Sequence, residues 1–311
     1  MKEIRDWLKS HSPIFGIDVS ILDVKPLKSG QYNVNYLIVT SNKRYVLRLN
    51  IAPQSGLKNQ IEYEFKTLKF LEPFHITPKV HFYSMDASHF GHPFLIMDFI
   101  EGMPLSNTDS DISEVARSLF VLHSIKIPKG LGFMIRNSIS EDLKVLFDLL
   151  EKYSSYKGAN NIIIDSIAKR LSSVKKINFI QTRSLVHTDT VPSNFMVNDS
   201  CFIIDWEKAR VDDPSYDIAV LFCRFMYWDW GISLTRDQKD VFIKNYPGFK
   251  FDRQLLDKVM YRVNLLDILG VLWAALRLIE VESGTVDERV ASDPIRYKNT
   301  IEYILQMKVF M

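Results

Sequence analysis

His187-Thr188-Asp189-Thr190-Val191-Pro192-Ser193-Asn194, followed shortly by Ile203-Ile204-Asp205-Trp206-Glu207, is the stretch whose reading sorts this chain into a fold. Leu185-Val186 leads into the polar loop and Phe195 to Val197 leaves it. Asn198-Asp199-Ser200 then makes a turn, and Cys201 to Asp205 runs back as a further strand. Asp189 lies just past the first apolar run, Asn194 just before the second, and Asp205 at the end of the third. One small hairpin can therefore bring all three to one rim. Phosphoryl transfer needs a carboxylate to orient and deprotonate the attacking hydroxyl, and oxygen ligands to hold magnesium on the phosphates. Asp189 suits the first role, and Asn194 with Asp205 the second, because magnesium prefers hard oxygen donors and keeps several of its waters.

Upstream, Asn33 to Thr40 and Arg44 to Asn50 read as a hairpin closed at Ser41-Asn42. Leu57 to Leu71, with Ile61, Phe65, Leu68 and Leu71 at helical spacing, predicts one helix crossing the sheet. His81 to Ser84 and Pro93 to Phe99 add two strands, and Glu101-Gly102-Met103-Pro104 breaks the pattern. Beyond that point the chain turns helical. Ile112 to Ile125 carries Val115, Leu119 and Leu122 on one stripe, followed by Glu141 to Tyr153, Ile162 to Leu171 and the long stretch Gln254 to Val281. No repeat of 20 to 50 residues is present, which removes solenoids and propellers.

A chain of 311 residues suits two lobes, and 47% apolar residues supply their cores. Lys plus Arg at 39 against Asp plus Glu at 37 leaves +2, too balanced for nucleic acid or an anionic membrane as the main partner. Cys201 and Cys223 cannot build a disulfide framework or a thiolate zinc site alone and suit a reducing compartment. The first residues lack a signal-peptide core, and the apolar run Leu265 to Leu278 contains Asp267 and Arg277. A cytoplasmic protein is the expectation.

His-x-Asp-x-x-x-x-Asn followed by Ile-Asp-Trp-Glu resembles the catalytic and metal-binding segments of aminoglycoside phosphotransferases and choline kinase-like enzymes, and Asp213-Pro214-Ser215-Tyr216-Asp217-Ile218-Ala219 extends the likeness. The resemblance implies a bilobal, protein kinase-like α+β fold. Residues 1–98 would be a nucleotide-binding lobe with a small antiparallel sheet and one crossing helix; residues 99–311 would be a mainly helical lobe for catalysis and acceptor binding. It implies that Asp217 braces the catalytic loop, with His187 in loop architecture and Glu207 either a third metal-site carboxylate or a surface charge. Read without the family, Ser215 or Asp213 caps a helix beginning near Tyr216. Gly30 and Asn33 look like the family's strand turn over the phosphates, and Arg48 stands where protein kinases carry their phosphate-binding Lys, with Glu64 its expected partner. Phe94 to Phe99, including Met97 and Phe99, resembles the hinge strand whose backbone reads a nucleotide base. Thr188 departs from the Gly common among relatives.

The implied reaction is transfer of the γ-phosphate of Mg2+-bound ATP or GTP to a hydroxyl of a small molecule such as an amino alcohol, a sugar or an aminoglycoside. A nucleotide-binding pseudokinase acting as a scaffold is the alternative, motivated by Arg48 and the single Gly. A metal-dependent hydrolase using His187, Asp189 and Asp205 ranks behind both, for want of a second His-rich segment. Taken singly, Gly30 and Asn33 would more often be turn residues, and Arg48 with Glu64 an ordinary ion pair. Tyr227-Trp228-Asp229-Trp230 reads as core packing ahead of an aromatic cage for a quaternary amine. Asp229, Asp267, Glu280 and Glu282 read as solvated charges ahead of an amine pocket.

Overall fold

The computed structural model describes residues 2–11, 21–27, 30, 32–52, 57, 59–174, 177–223, 234–285 and 294–306. The described residues fall into two compact units, one drawn from 2–102 and 198–208, the other from 103–197, 209–285 and 294–306. The 227–230 segment considered for an amine cage lies outside the described residues.

The first unit opens with a helix, α1 (Lys2–His11), and continues into β1 (Ile21–Pro26), β2 (Asn33–Thr40) and β3 (Arg44–Asn50). After α2 (Gln60–Leu71) come β4 (Val80–Ser84) and β5 (Phe94–Asp98), giving an antiparallel sheet of order β1-β2-β3-β5-β4. The β2–β3 turn is tied by Thr40, whose Oγ1 accepts the Lys43 N–H at 3.0 Å, and its register sets Asn35 opposite Arg48. One face of the sheet packs Val24, Ile38, Leu47, Leu49, Phe94 and Ile96 against Ile4 and Leu8 of α1, with Trp7 edge-on to Phe94.

α2 departs from its expected face. Ile61, Leu68 and Leu71 are buried, but Phe65 is only half-buried against Tyr83, and Gln60, Glu64 and Thr67 take the inward positions instead. The reason is that β3 presents a buried guanidinium, Arg48, so the covering helix must bury a carboxylate and accept a polar stripe.

The second unit is mainly helical. α3 (Asp109–Ser124) starts at Thr108, whose side chain accepts the Asp111 N–H, and buries Val115, Leu119 and Leu122 completely. α4 (Glu141–Ser154) and α5 (Asn161–Ser173) pack on the 28-residue helix Leu255–Glu282 through Leu146, Leu150, Ile167 and Leu272. That helix is long and apolar enough to cross a membrane, but 78% of its most apolar window is buried in this protein, as befits a core helix. Asp267 lies on it and is also buried, accepting from Cys223 Sγ at 3.0 Å, so it is not a solvated charge; Glu280 pairs with Arg277. Ser184–Val186 pairs antiparallel with Arg210–Asp212, and Met103–Pro104 with Phe195–Val197. α6 (Ser215–Phe222) follows, its first N–H capped by Asp213 Oδ1 at 3.0 Å.

Candidate active site

In the first unit Arg48 is the centre. Its Nη1 donates to Glu64 Oε1 at 2.6 Å and to Asp205 Oδ1 at 2.5 Å, while Nε donates to Asn35 Oδ1 at 3.2 Å. Arg48 and Glu64 are buried and Asp205 is about a quarter exposed. Burial works against the Arg48 charge, but Glu64, Asp205 and Glu207 more than offset it and hold the guanidinium protonated. Burial pushes the Glu64 carboxyl up, Arg48 pulls it back and Asp205 adds repulsion, leaving it at about 7. The fork geometry of Arg is only partly used, since both carboxylates take the same nitrogen and Nη2 meets no described residue. Arg48→Lys is therefore expected to keep the ion pairs, lose the bond to Asn35, and lower stability by about 0.5–1.5 kcal/mol, read from the urea midpoint.

Glu207 is buried, not a surface charge. Its Oε2 accepts both Asn33 Nδ2 and Gln60 Nε2 at 2.6 Å, and Asn33 Oδ1 in turn accepts Asn50 Nδ2 at 2.9 Å. Burial first, then the nearby Asp205, raises its pKa to about 8. The Asn33 amide thus links Glu207 to Asn50 inside the protein and positions Glu207 and the turn. Gly30 donates its N–H to Asn33 O at 3.0 Å, and a Cβ there would meet nothing within 4 Å. At the hinge strand, Asp98 gives its N–H to Lys79 O and Phe99 to Arg44 O, so Phe99 has no N–H to offer a base. Ile100 is the next residue with an N–H unbonded among the described residues. Met97 is buried in β5, opposite Val46.

In the second unit the loop after Ser184–Val186 is held by Asp217 from α6. Its Oδ2 accepts the His187 N–H at 2.8 Å, its Oδ1 the Thr188 N–H at 2.7 Å, and its backbone carbonyl the Thr190 hydroxyl at 2.6 Å. Two successive N–H groups can face one carboxylate because Thr188 adopts φ 72°, a left-handed conformation that is uncommon for a β-branched residue. His187 is fully buried and its Nδ1 accepts the Asp189 N–H at 3.2 Å; Asn194 Nδ2 donates to Asp189 O at 2.8 Å. Asp189 stays half-buried, its backbone pinned from both sides. Asp205, in the first unit, shares the left-handed twist at φ 72°.

Two residues of this scaffold gave no sequence signal. His123, at the end of α3, contacts Asp217 Oδ2 through Nε2 at 2.9 Å and Tyr246 Oη through Nδ1 at 2.7 Å. A lone His beside an apolar stripe and a distant Tyr carry no spacing that links them. Burial works to raise the Asp217 pKa, but His123 and the His187 N–H hold it below the ordinary value. Tyr246→Phe removes the outer member of this chain and is expected to cost about 0.5–1.5 kcal/mol, measured by chemical denaturation.

As to metal, Asp205 offers a carboxylate and Asn194 an amide oxygen, its nitrogen being committed to Asp189. Among the described residues no group of three His, Cys, Asp or Glu could hold an ion unaided. Carboxylate and amide oxygens are, each in its own unit, hard donors of the kind magnesium takes and not those of a softer metal.

The chain is similar to Protein LicA of Haemophilus influenzae, 28% identical over 204 residues, which covers 62% of this chain and 55% of that protein. The chain therefore spans about half the length of this curated relative. Among solved structures it resembles an ethanolamine kinase of Plasmodium vivax, with 22% identity, TM-score 0.67, and coverage of 92% of this chain and 82% of that one. It also resembles the choline kinase LicA of Streptococcus pneumoniae, with 20% identity, TM-score 0.62, and coverage of 98% and 99%. At these identities the likeness concerns the fold: an antiparallel sheet in the N-terminal part and helices in the C-terminal part, as the sequence led us to expect. A family model matches residues 23–255, most of the chain and all of the residues assembled above, and the chain accordingly belongs to the phosphotransferase enzyme family, APH.

Proposed function

We propose that this protein is a cytoplasmic small-molecule kinase that moves the γ-phosphoryl group of a nucleoside triphosphate, ATP or GTP, onto the hydroxyl of a small amino alcohol. The observation that carries the reading is the loop from His187 to Asn194, whose backbone is fixed at both ends by Asp217 and Asn194 while the Asp189 side chain is left half-buried. A carboxylate on a pinned backbone suits the base that orients a hydroxyl and takes its proton as the phosphoryl group transfers. Asn194 and Asp205 would hold magnesium, which when bound neutralises charge on the phosphates. In the first unit Glu64, Asp205 and Glu207 lie around one guanidinium, and since burial raises Glu64 to about 7 and Glu207 to about 8, an incoming divalent cation would be met by Asp205 and would favour ionisation of the other two. Arg48 has Nη2 to offer a phosphate, Gly30 keeps its turn clear of side-chain atoms, and Ile100 offers an N–H to the base. An amino alcohol is preferred among acceptors because the two solved relatives named above are a choline and an ethanolamine kinase.

The test is a coupled assay of ADP and GDP release with magnesium against separate pools of amino alcohols, sugars, nucleosides and aminoglycosides, run beside Asp205→Ala. Turnover confined to the amino-alcohol pool and absent in the variant supports the proposal. Turnover on another pool overturns the acceptor, and nucleotide binding with no turnover in any pool favours the scaffold reading.

A further inference from the structure

The second unit holds a cavity of about 100 Å³ between α4, α6 and the helix Leu255–Glu282, on residues to which the proposed reaction gives no part. Its walls are apolar, from Val145, Leu146, Leu265, Leu266 and Leu269, and its polar end is formed by guanidinium groups around one phenol. Arg210 stacks over the Tyr216 ring at 4.2 Å and Arg262 lies 5.1 Å from the same centroid. Behind them Asp212 accepts Arg210 Nη2 and Arg262 Nη2, each at 2.7 Å, while Asp142 Oδ2 stands 3.1 Å from Arg262 Nε. Arg136 completes the lining, its Nε 3.9 Å from Asp142.

The donors at this end are underused. Arg210 Nη1 bonds nothing among the described residues, nor does the Tyr216 hydroxyl. The Arg136 guanidinium makes no hydrogen bond among them either; its nearest carboxylate oxygens, from Glu141 and Asp142, are 3.5 and 3.9 Å away. Arg262 Nε and Asp142 Oδ2 are both buried, and neither makes a proper hydrogen bond despite their proximity. Three arginines meet three carboxylates, Asp142 in the lining, Asp212 behind and Glu141 3.5 Å from Arg136, so it is the unfilled donors and not a net charge that mark this end. Unfilled guanidinium N–H groups beside a phenol call for an anionic acceptor, and the leucine walls call for an apolar body attached to it.

We propose that this cavity is a binding site for a small monocarboxylate with a short aliphatic tail, its carboxylate on Arg210, Arg136 and Tyr216 and its tail among Leu146, Leu265 and Leu269. The volume is about two thirds of that of a cavity known to take benzene, which limits the buried tail to about four carbons. Because Tyr216 directly precedes the residue that holds the 187–190 loop, occupancy braces α6 and raises the unfolding temperature by mass action.

Valerate is the probe, with 1-pentanol, pentylamine and inorganic phosphate as comparisons, followed by saturation-transfer NMR and thermal unfolding of the full chain. Expected is saturable valerate binding with a dissociation constant of about a few millimolar or tighter. The alcohol and amine should bind at least about tenfold more weakly, a loss that matches one unsatisfied charged contact. Val145→Trp, which fills the cavity from α4 without touching a charge, should abolish both binding and the thermal shift. Arg210→Gln should weaken binding about tenfold, and Arg136→Gln offers the same test at a group whose removal breaks no hydrogen bond to a described residue. Absence of saturation, phosphate competing as well as valerate, or undiminished binding in Val145→Trp would each overturn the proposal.

Discussion

Asp189→Asn is expected to lower turnover on the identified acceptor by about 10²–10⁴-fold, the usual contribution of a positioned general base, with little change in KM or in folding stability. The substitution keeps size and shape while removing the negative charge and the ability to accept a proton. The loop has backbone ties that do not pass through that carboxylate: the residue-189 N–H is held by His187 and its carbonyl by Asn194. Asp217 fixes the two preceding N–H groups independently. The variant therefore isolates chemistry from architecture. Steady-state kinetics with the substrate class found in the coupled assay, beside a urea unfolding curve, would check it. Near-wild-type turnover would remove Asp189 from the role of base.

Asp217→Ala acts on architecture instead, and is expected to destabilise the protein by about 3–5 kcal/mol, since it strips the partner from a buried His and orphans two buried N–H groups at once. Asp217→Asn should cost less, because one amide oxygen can still accept. The same carboxylate carries an acid-linked effect. Its folded pKa lies below the ordinary 3.8, so its contribution is fully present above that value and is lost as pH falls from about 4 toward the lower folded value. Urea midpoints taken between neutral pH and pH 3 should fall more for the wild type than for Asp217→Ala over that range. Equal slopes would show that the clamp does not depend on the ionised carboxylate.

The Glu64 and Glu207 pair shows why burial matters more than charge in placing such groups. From the sequence Glu207 is a carboxylate two residues past Asp205 with no stated surroundings, yet in the folded chain it lies under the sheet with two amides on one oxygen. Asn33 likewise reads as a phosphate-turn residue until its amide is seen divided between Asn50 and Glu207. Phe99 reads as part of the hinge strand whose backbone meets a base, and only the fold shows its N–H on Arg44 O.

What the order of residues determined by itself was local and periodic. The alternating runs at Asn33–Thr40 and Arg44–Asn50 became paired strands, the stripe of Val115, Leu119 and Leu122 became the buried face of α3, and Asp213 beside Ser215 became a helix cap. These follow from side-chain periodicity and from short-range hydrogen bonding, which neighbours in sequence suffice to specify. Ordered motif spacing put Asp189, Asn194, Asp205 and Asp217 forward as candidates, and within the second unit the fold ties Asp189 to Asn194 and the loop to Asp217. Tertiary structure alone decided which donors remain after the protein has met its own needs. It placed His123 and Tyr246 behind Asp217, left Phe65 only half-buried on α2, and left the arginines around Tyr216 with N–H groups unfilled among the described residues. Those outcomes depend on contacts between residues up to about 120 positions apart. Burial removes water as the default partner, so only the folded arrangement determines what satisfies each polar atom.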